Sequence, residues 1–559
     1  TAEGVSHLVE KSIRGRTNTI VGDCGAPWIL DLESGARISG IHISMEKTTM
    51  TGRATLVTKQ MINQILEFFK VRVLPIVEKA MEETEQKGTF DLKGEEWFDC
   101  QETLICDCIG QTDEVVYQPS RTDLAVTIWR NISPITKVPS RLKQFKNDEG
   151  KIIRPSQVRF RKWIGKSTRI PVDKIRAVYP YLSQWYPRPP ADKRRVLTIE
   201  QAIFGEENGL NPSIEQNTSV GWPWKLQNRR RNEFFNIEQR TISEECRTAV
   251  ERYLHCENFD TVVLDSLKDE RVKISKWESG DTRVFTICDF TLNIALKMLF
   301  GDFVQYLQSL YTTCPVKIGI SPLPADWTTL YDVLTTNEGG LIAGDMSGWD
   351  HRCHFEVMMG IIDWINEWYD DDWRETRFEL ARMTFEPLHL CDGSLYRSRG
   401  GMPSGSYLTT PINSLAVLTY IYMFAQDLYG EDLGLDNRLW LKPVVYGDDH
   451  IVAVAMHNEM NQISFCDWFA KLGIKYTDEN KNTPQKPYTT IDEVTFLKRR
   501  FVKRDGYVWG CLPEENLFEQ IQWYRRSATQ RRKSQKQLSE EILDTVLSES
   551  FFHGEKVYN

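Results

Sequence analysis

The sequence predicts an α+β fold, with antiparallel sheets made from hairpins and packed against helices, and three observations predict it. Between residues 290 and 510, helical stretches alternate with pairs of strand-like runs. Within that region two apolar runs, residues 444–446 and 450–455, flank Gly447-Asp448-Asp449, the pattern of a hairpin with acids at its turn. Residues 1–85 open on short alternating runs such as TIVGDCGAPWIL and ARISGIHIS, then pass into the helical stretch QMINQILEFFKVRVLPIVEKAM. The first part reads as strands and turns.

Length and composition bound what this fold serves. The chain has 559 residues, 41% hydrophobic and 26% charged, enough for several packed cores. A net charge of −9 argues against a protein that coats nucleic acid with its whole surface, but it leaves room for a local basic channel. Basic clusters stand at Arg159, Arg161 and Lys162 beside Phe160 and Trp163, at 229–231, and at Arg525, Arg526, Arg531, Arg532 and Lys533. Each taken singly also reads as a solvated face.

The twelve cysteines follow no disulfide rhythm, as expected of a reducing compartment. Cys100, Cys106 and Cys108 lack a CxxC pair and a nearby histidine, so they read as a loop or core cluster. No run approaches the roughly 18 uninterrupted apolar residues of a membrane helix. The most apolar stretch, 412–424, is broken by Asn413, Ser414 and Thr419, and the N-terminus has no signal-peptide core. A multidomain protein of the cytosol is the expectation.

Composition also divides the chain. Residues 82–96, EETEQKGTFDLKGEE, are acidic and glycine-containing, and make the best linker candidate. Residues 100–289 are rich in Arg, Trp and Pro, and the last fifty or so are polar and helical.

The chemistry is concentrated in carboxylates. Leu341-Ile-Ala-Gly-Asp345 is an apolar run that delivers an aspartate at its tip, with Asp350 five residues on beyond a Ser-Gly turn. Asp448 and Asp449 sit at the hairpin turn. Acids at the tips of buried strands repel one another, so their clustering makes sense chiefly when cations neutralise them. Mg²⁺ suits carboxylate oxygens, and two such ions clamp the attacking and leaving oxygens of a phosphoryl transfer. Either segment alone reads equally well as an ordinary turn. Between them lies Gly400-Gly-Met-Pro-Ser404-Gly405-Ser-Tyr-Leu-Thr409-Thr-Pro-Ile-Asn413, a glycine-rich loop running into a helical stretch. Such a loop lets backbone approach a ribose or phosphate, and Ser404, Thr409 and Asn413 offer hydrogen bonds to a 2′-hydroxyl.

In order and approximate spacing, these three segments resemble motifs A, B and C of the RNA-dependent RNA polymerases of picorna-like positive-strand RNA viruses. The likeness extends outward over about residues 110–510. Pro119-Ser-Arg-Thr-Asp-Leu124 resembles the early fingers segment, and Thr218-Ser219-Val-Gly221-Trp-Pro223 resembles motif G. Lys268-Asp-Glu-Arg271, Lys276 and Arg283 resemble motif F. Leu472 to Lys481 resembles motif D, and Phe496-Leu-Lys498-Arg499 resembles motif E. The resemblance implies a right-hand polymerase: fingers over 100–289, a palm with an antiparallel sheet and a fingers insertion over 290–510, and a thumb over 511–559 that looks short enough to be truncated.

Roles follow from the resemblance. Asp345 and Asp448 would bind two Mg²⁺ ions, with Mn²⁺ a possible substitute and Asp449 a lesser helper. Asp350, Ser404, Thr409 and Asn413 would face the nucleotide. Lys268, Arg271, Lys276 and Arg283 would hold its triphosphate, as a planar guanidinium fork suits. Lys481 would protonate pyrophosphate, a task for which its charge also fits, though it reads too as a solvated loop lysine. Thr218, Ser219, Gly221, Pro223 and Gly405 would guide template, and Lys498 and Arg499 would support the primer. Trp349 departs from the usual Tyr or Phe, and His351 and His354 read as structural. A reverse transcriptase is the nearest rival, disfavoured by Asp350 with Asn413 and by the 268–283 segment.

Gly22-Asp-Cys24-Gly25 and Gly40-Ile-His42 resemble the nucleophile turn and pocket histidine of picornavirus-type, chymotrypsin-like cysteine proteases. There Cys24 would be the nucleophile, with Thr19 and His42 lining the glutamine pocket. Only His7 precedes Cys24, too near to act as the base, so residues 1–85 read as the C-terminal remnant of a β-barrel protease. A strand cysteine in a GDCG turn is the plainer reading. Residues 86–99 would be the linker or cleavage region, with Gln86-Lys87 a candidate junction.

The partners implied are RNA template and nascent RNA, NTPs, a genome-linked protein primer and other viral replication proteins. The implied location is the host cytoplasm, at membrane-associated replication complexes. An alternative function is an inactive polyprotein precursor whose working part is the Cys24 protease.

Overall fold

The structure, a computed structural model, describes the backbone of strands Ser12–Arg16, Pro27–Leu32, Gly35–Glu46, Thr51–Leu56 and Cys106–Gln111. It also describes residues 121–558 apart from 131, 133, 164–167, 208–210, 258–260, 337–338, 399, 456–458 and 527–532. The first four strands form an antiparallel sheet in which Ser12–Arg16 pairs with Thr51–Leu56, the latter with Gly35–Glu46, and that with Pro27–Leu32. Strands therefore lie where alternation predicted them. The turn carrying Thr19 and Cys24, the helical stretch after residue 56 and the proposed linker lie outside the described residues.

The central sheet has four antiparallel strands in the order Leu441–Tyr446, Asp449–Val454, Gly340–Met346, Tyr476–Thr477. Alternate side chains of a strand point to opposite faces, and here both faces are buried. Ile342, Val445, Val452 and Val454 face a large core built on helices Phe290–Ser309, Phe355–Tyr369 and Thr409–Tyr429. Leu341, Ala343, Val444, Ile451 and Ala453 face a smaller core with Trp327, Leu330, Phe496 and Phe501. Two-sided burial explains why these strands read as continuous apolar runs in sequence.

A second sheet, of five strands, runs Val284–Ile287, Val262–Leu267, Leu388–Cys391, Ser394–Ser398, Cys106–Gln111. Its Val262–Leu267 and Leu388–Cys391 strands are parallel and its other pairs antiparallel. Residues 388–398, from within the 290–510 region, thus pair with strands from the 100–289 region. The C-terminal part returns to an early segment in a separate two-stranded sheet, where Trp523–Arg525 pairs with Leu124–Val126. Among the described residues no helix is long and apolar enough to cross a membrane.

Candidate active site

Sheet register assembles the acids. Gly344 pairs with His450, so the next position along, Asp345, comes level with Asp449, the first residue of its strand. Asp448 occupies the turn just before it, where Tyr446 pairs with Asp449. Crowding shows in Asp449: burial first, then the carboxylates of Asp448, Glu479 and Asp345, push its pKa up to about 6 against the opposing pull of Lys498. The turn is braced by His450, a residue the sequence reading passed over. Its Nδ1 lies 3.0 Å from the Asp448 carbonyl and its Nε2 3.2 Å from the Tyr476 hydroxyl. Burial lowers the pKa of His450, which favours the neutral ring that fits this bracing role.

Lys481 reaches the same acids. Asp478 organises its loop: Oδ1 accepts the N–H groups of Asn480 and Asn482, and the carbonyl accepts that of Lys481 at 2.9 Å. Lys481 adopts φ +66°, and its Nζ lies 2.5 Å from Asp345 Oδ2. The sequence brought these two together in function, and the structure brings them into an ion pair.

Asp350 follows the Ser347-Gly348 turn and is held by the glycine-rich loop, whose Met402 N–H donates to the Asp350 carbonyl at 2.7 Å. Gly401 has φ +83°, and a Cβ there would lie 2.4 Å from the same carbonyl, so only glycine fits. Burial, then the Asp448 carboxylate, raises the pKa of Asp350, opposed by Arg283, Arg159 and Lys268. Asn413 is 5% exposed, and its Oδ1 has no hydrogen-bond partner. A buried acceptor left open in this way is a place for a ligand donor.

Two expectations need correcting in detail. Thr409 has no proton to spare for a ribose, because its hydroxyl donates within the loop, 2.8 Å from the Pro403 carbonyl and 2.7 Å from that of Ser406, and only its oxygen remains as an acceptor. Arg499 is not presented to a primer. Its guanidinium forms a bidentate pair with Glu549 at 2.8 Å and donates to the Gly510 carbonyl. Position explains the difference within this turn, since Lys498, at φ +62°, points instead into the neighbouring cavity.

That cavity, of about 640 Å³, is lined by Arg271, Lys276, Arg283, Lys481 and Lys498 together with Lys137, which sequence reading missed. Only Glu270, Asp281 and Glu519 among its lining residues oppose them. Lys268 lies beside it, its N–H donating to the Arg283 carbonyl at 2.7 Å, and the side chains of both residues come within 3.7 Å of Glu270. A net-cationic cavity whose wall includes Lys481, the partner of Asp345, can take a polyphosphate.

The loop of Thr218, Ser219, Gly221 and Pro223 joins the start of helix Phe290–Ser309, where Phe290 N–H donates to the Val220 carbonyl. Asn293 of that helix bonds Gly405 O at 2.9 Å and Tyr407 N at 2.8 Å. The two expected template segments therefore share one support. His351 stacks on Trp163 with ring centroids 3.6 Å apart, and His354 Nδ1 meets the Tyr420 hydroxyl at 2.6 Å. Both are packing groups, His354 buried and His351 half-buried.

Among the described residues, no group of three or more His, Cys, Asp or Glu side chains converges as a ready-made metal cage. Asp345 and Asp448 still fit Mg²⁺, which is ordinarily held by one or two carboxylates while substrate phosphates and water complete its octahedron. Burial first, and the neighbouring carboxylates second, raise the Asp449 pKa, and a bound cation would oppose both.

Strand-tip aspartates, one of them ion-paired to Lys481 in the wall of a cation-lined cavity, are the arrangement of a palm-type nucleotide-polymerising site. A family model, "Viral RNA-dependent RNA polymerase", matches residues 133–559, and the chain belongs to that family. It is 25% identical to the replicase polyprotein of acute bee paralysis virus (strain Rothamsted) over 93% of this chain, and 25% identical to the genome polyprotein of rice tungro spherical virus (strain Vt6) over 100% of it. The chain spans 29% and 17% of the lengths of these relatives. Among solved structures, the Sicinivirus 3Dpol RNA-dependent RNA polymerase superposes with a TM-score of 0.67 at 21% identity, covering 82% of this chain and 92% of that one.

Proposed function

We propose that this chain transfers NMPs from NTPs to a growing RNA 3′ end under template direction, with Asp345 and Asp448 holding two Mg²⁺ ions for which Mn²⁺ can substitute. The observation that carries the reading is the cavity of Arg271, Lys276, Arg283 and Lys498 opening onto the Asp345–Lys481 pair. Bound there, the cations would activate the 3′ oxygen and neutralise the leaving pyrophosphate. Lys268, Lys276 and Arg283 orient the triphosphate. Asp350 and Asn413 receive the ribose, the open Asn413 Oδ1 accepting from its 2′-hydroxyl. Lys481 hands a proton to the departing pyrophosphate oxygen.

Lys498 steadies the primer, and the loops of Thr218–Pro223 and Gly405 carry the template. Residues 1–85 are a protease remnant in this reading. Support comes from the four antiparallel strands there and from polyprotein relatives that match 93% or more of the chain. A genome-linked protein primer and membrane-associated replication complexes in the host cytoplasm complete the proposal.

Primer extension on an RNA template with Mg²⁺ tests it. Asp448→Ala abolishes incorporation, and persistence of activity in that variant would overturn the assignment.

A further inference from the structure

Ser404 and Arg283 lie on different parts of the chain, and one residue joins them. Thr286 sits on the edge strand of the five-stranded sheet, Val284–Ile287, which begins directly after Arg283. It pairs across the sheet with Asp265. The Thr286 backbone does not bond that neighbour. Its N–H points to the open edge, where Ser404 Oγ accepts it at 2.9 Å. Its carbonyl faces the same way, so that a Cβ on Gly405 would come within 2.3 Å of it. A pair of this non-hydrogen-bonded kind brings cross-strand side chains closer, and Thr286 Oγ1 accordingly donates to Asp265 Oδ1 at 3.0 Å. Asp265 is fully buried, and its other oxygen meets His389 Nδ1 at 2.9 Å.

We infer that Thr286 is a positioning residue that locks the Ser404–Gly405 loop to the strand carrying Arg283, so that the loop and the triphosphate cation are set as one unit. Asp265 and His389 hold Thr286 in place from the core side, where a carboxylate at 0% exposure needs both partners. The same two strands end together at the cationic cavity: Leu267 pairs with Val284, and one step on Lys268 N–H donates to the Arg283 carbonyl. Slack at Thr286 is therefore transmitted to Arg283 along two residues of strand. The inference rests on the polymerase reading of this site, and deepens it.

The test uses inorganic tripolyphosphate, which has neither ribose nor base, as a competitor of NTP incorporation by the full chain. Ser404→Ala, a substitution at an exposed loop position, weakens tripolyphosphate inhibition by about 3- to 10-fold, the worth of one neutral hydrogen bond. Thr286→Val does the same and raises the NTP KM in proportion, with kcat within about twofold, and Thr286→Ser restores both. The double variant Thr286→Val with Ser404→Ala is no weaker than the weaker single one, because the two substitutions cut successive bonds of one chain, Thr286 Oγ1 to Asp265 and Thr286 N–H to Ser404. Unchanged tripolyphosphate inhibition in Ser404→Ala overturns the inference, as does strict additivity in the double variant. A Thr286→Val protein that loses kcat at constant KM also overturns it, since that is loss of folded enzyme. Failure of the polymerase reading looks different: the parent chain then incorporates no NTP at all.

Discussion

Ser414 Oγ accepts the N–H of Gly447 at 2.8 Å while donating its own proton to the Thr410 carbonyl at 2.7 Å. The hydroxyl is fully buried and ties the Thr409–Tyr429 helix to the turn that bears Asp448. Alanine at 414 leaves the Gly447 N–H without that partner, a cost of about 1–3 kcal/mol for a buried donor. The turn can recover part of it by moving. Ser414→Ala should therefore lower kcat about tenfold and raise the Mg²⁺ concentration needed for half-maximal rate, leaving the NTP KM at saturating Mg²⁺ nearly unchanged. A Mg²⁺ titration of single-nucleotide extension reads all three.

The open acceptor of Asn413 leads to a second expectation. In the free protein Asn413 Oδ1 is buried without a partner, so it weakens the fold until a ligand hydroxyl arrives. Asn413→Ala should cost little or no thermal stability, yet reduce discrimination between NTP and dNTP by about 10- to 100-fold, the range of one to two such hydrogen bonds. Competing ATP against dATP in primer extension measures it. Unaltered discrimination would remove Asn413 from sugar recognition.

What sequence revealed and what it hid divides along physical lines. Asp345, Asp448 and Asp449 were legible because strand tips and hairpin turns are local, set by apolar runs and glycine within ten residues or so. Ser414 read only as an interruption in an apolar stretch, since its partner lies 33 residues on. Arg499 looked like a primer contact because its commitment to Glu549, 50 residues away, belongs to tertiary packing. The bond from Thr286 to Ser404 required the order of strands in a sheet, which no local pattern supplies. Cys24 and Thr19 fall outside the described residues, so the protease reading still rests on sequence resemblance and on the strands around it.

Asp449 makes the metal-free protein sensitive to pH. Its carboxyl is raised from 3.8 to about 6, so between those values the folded chain keeps a proton that the unfolded chain releases. Stability therefore falls as pH rises through that window, by at most about 3 kcal/mol, and the deficit persists above it. Asp449→Asn carries no such charge. In EDTA it should melt above the parent protein at pH 7 and together with it near pH 4, and Mg²⁺ should narrow the gap at pH 7 by neutralising the parent's carboxylates. Parallel melting curves for the two proteins across that range would show that the Asp449 charge is not the cause.

Lys481 separates folding from chemistry. Its pair with Asp345 is open to solvent, with side chains 64% and 40% exposed, and exposed ion pairs contribute about 0–1 kcal/mol. Lys481→Met should thus hardly move the melting temperature. A group that protonates the leaving pyrophosphate contributes about 10²- to 10⁴-fold to rate, so the same variant should lose at least about a hundredfold in kcat. Arginine supplies the charge but not the proton, because its guanidinium does not titrate in the working range. Lys481→Arg should hold the NTP KM close to that of the parent while kcat stays low. Presteady-state incorporation by both variants distinguishes the roles: a full rate with arginine would leave Lys481 as an electrostatic partner of Asp345 and the triphosphate, and the proton would have to come from elsewhere.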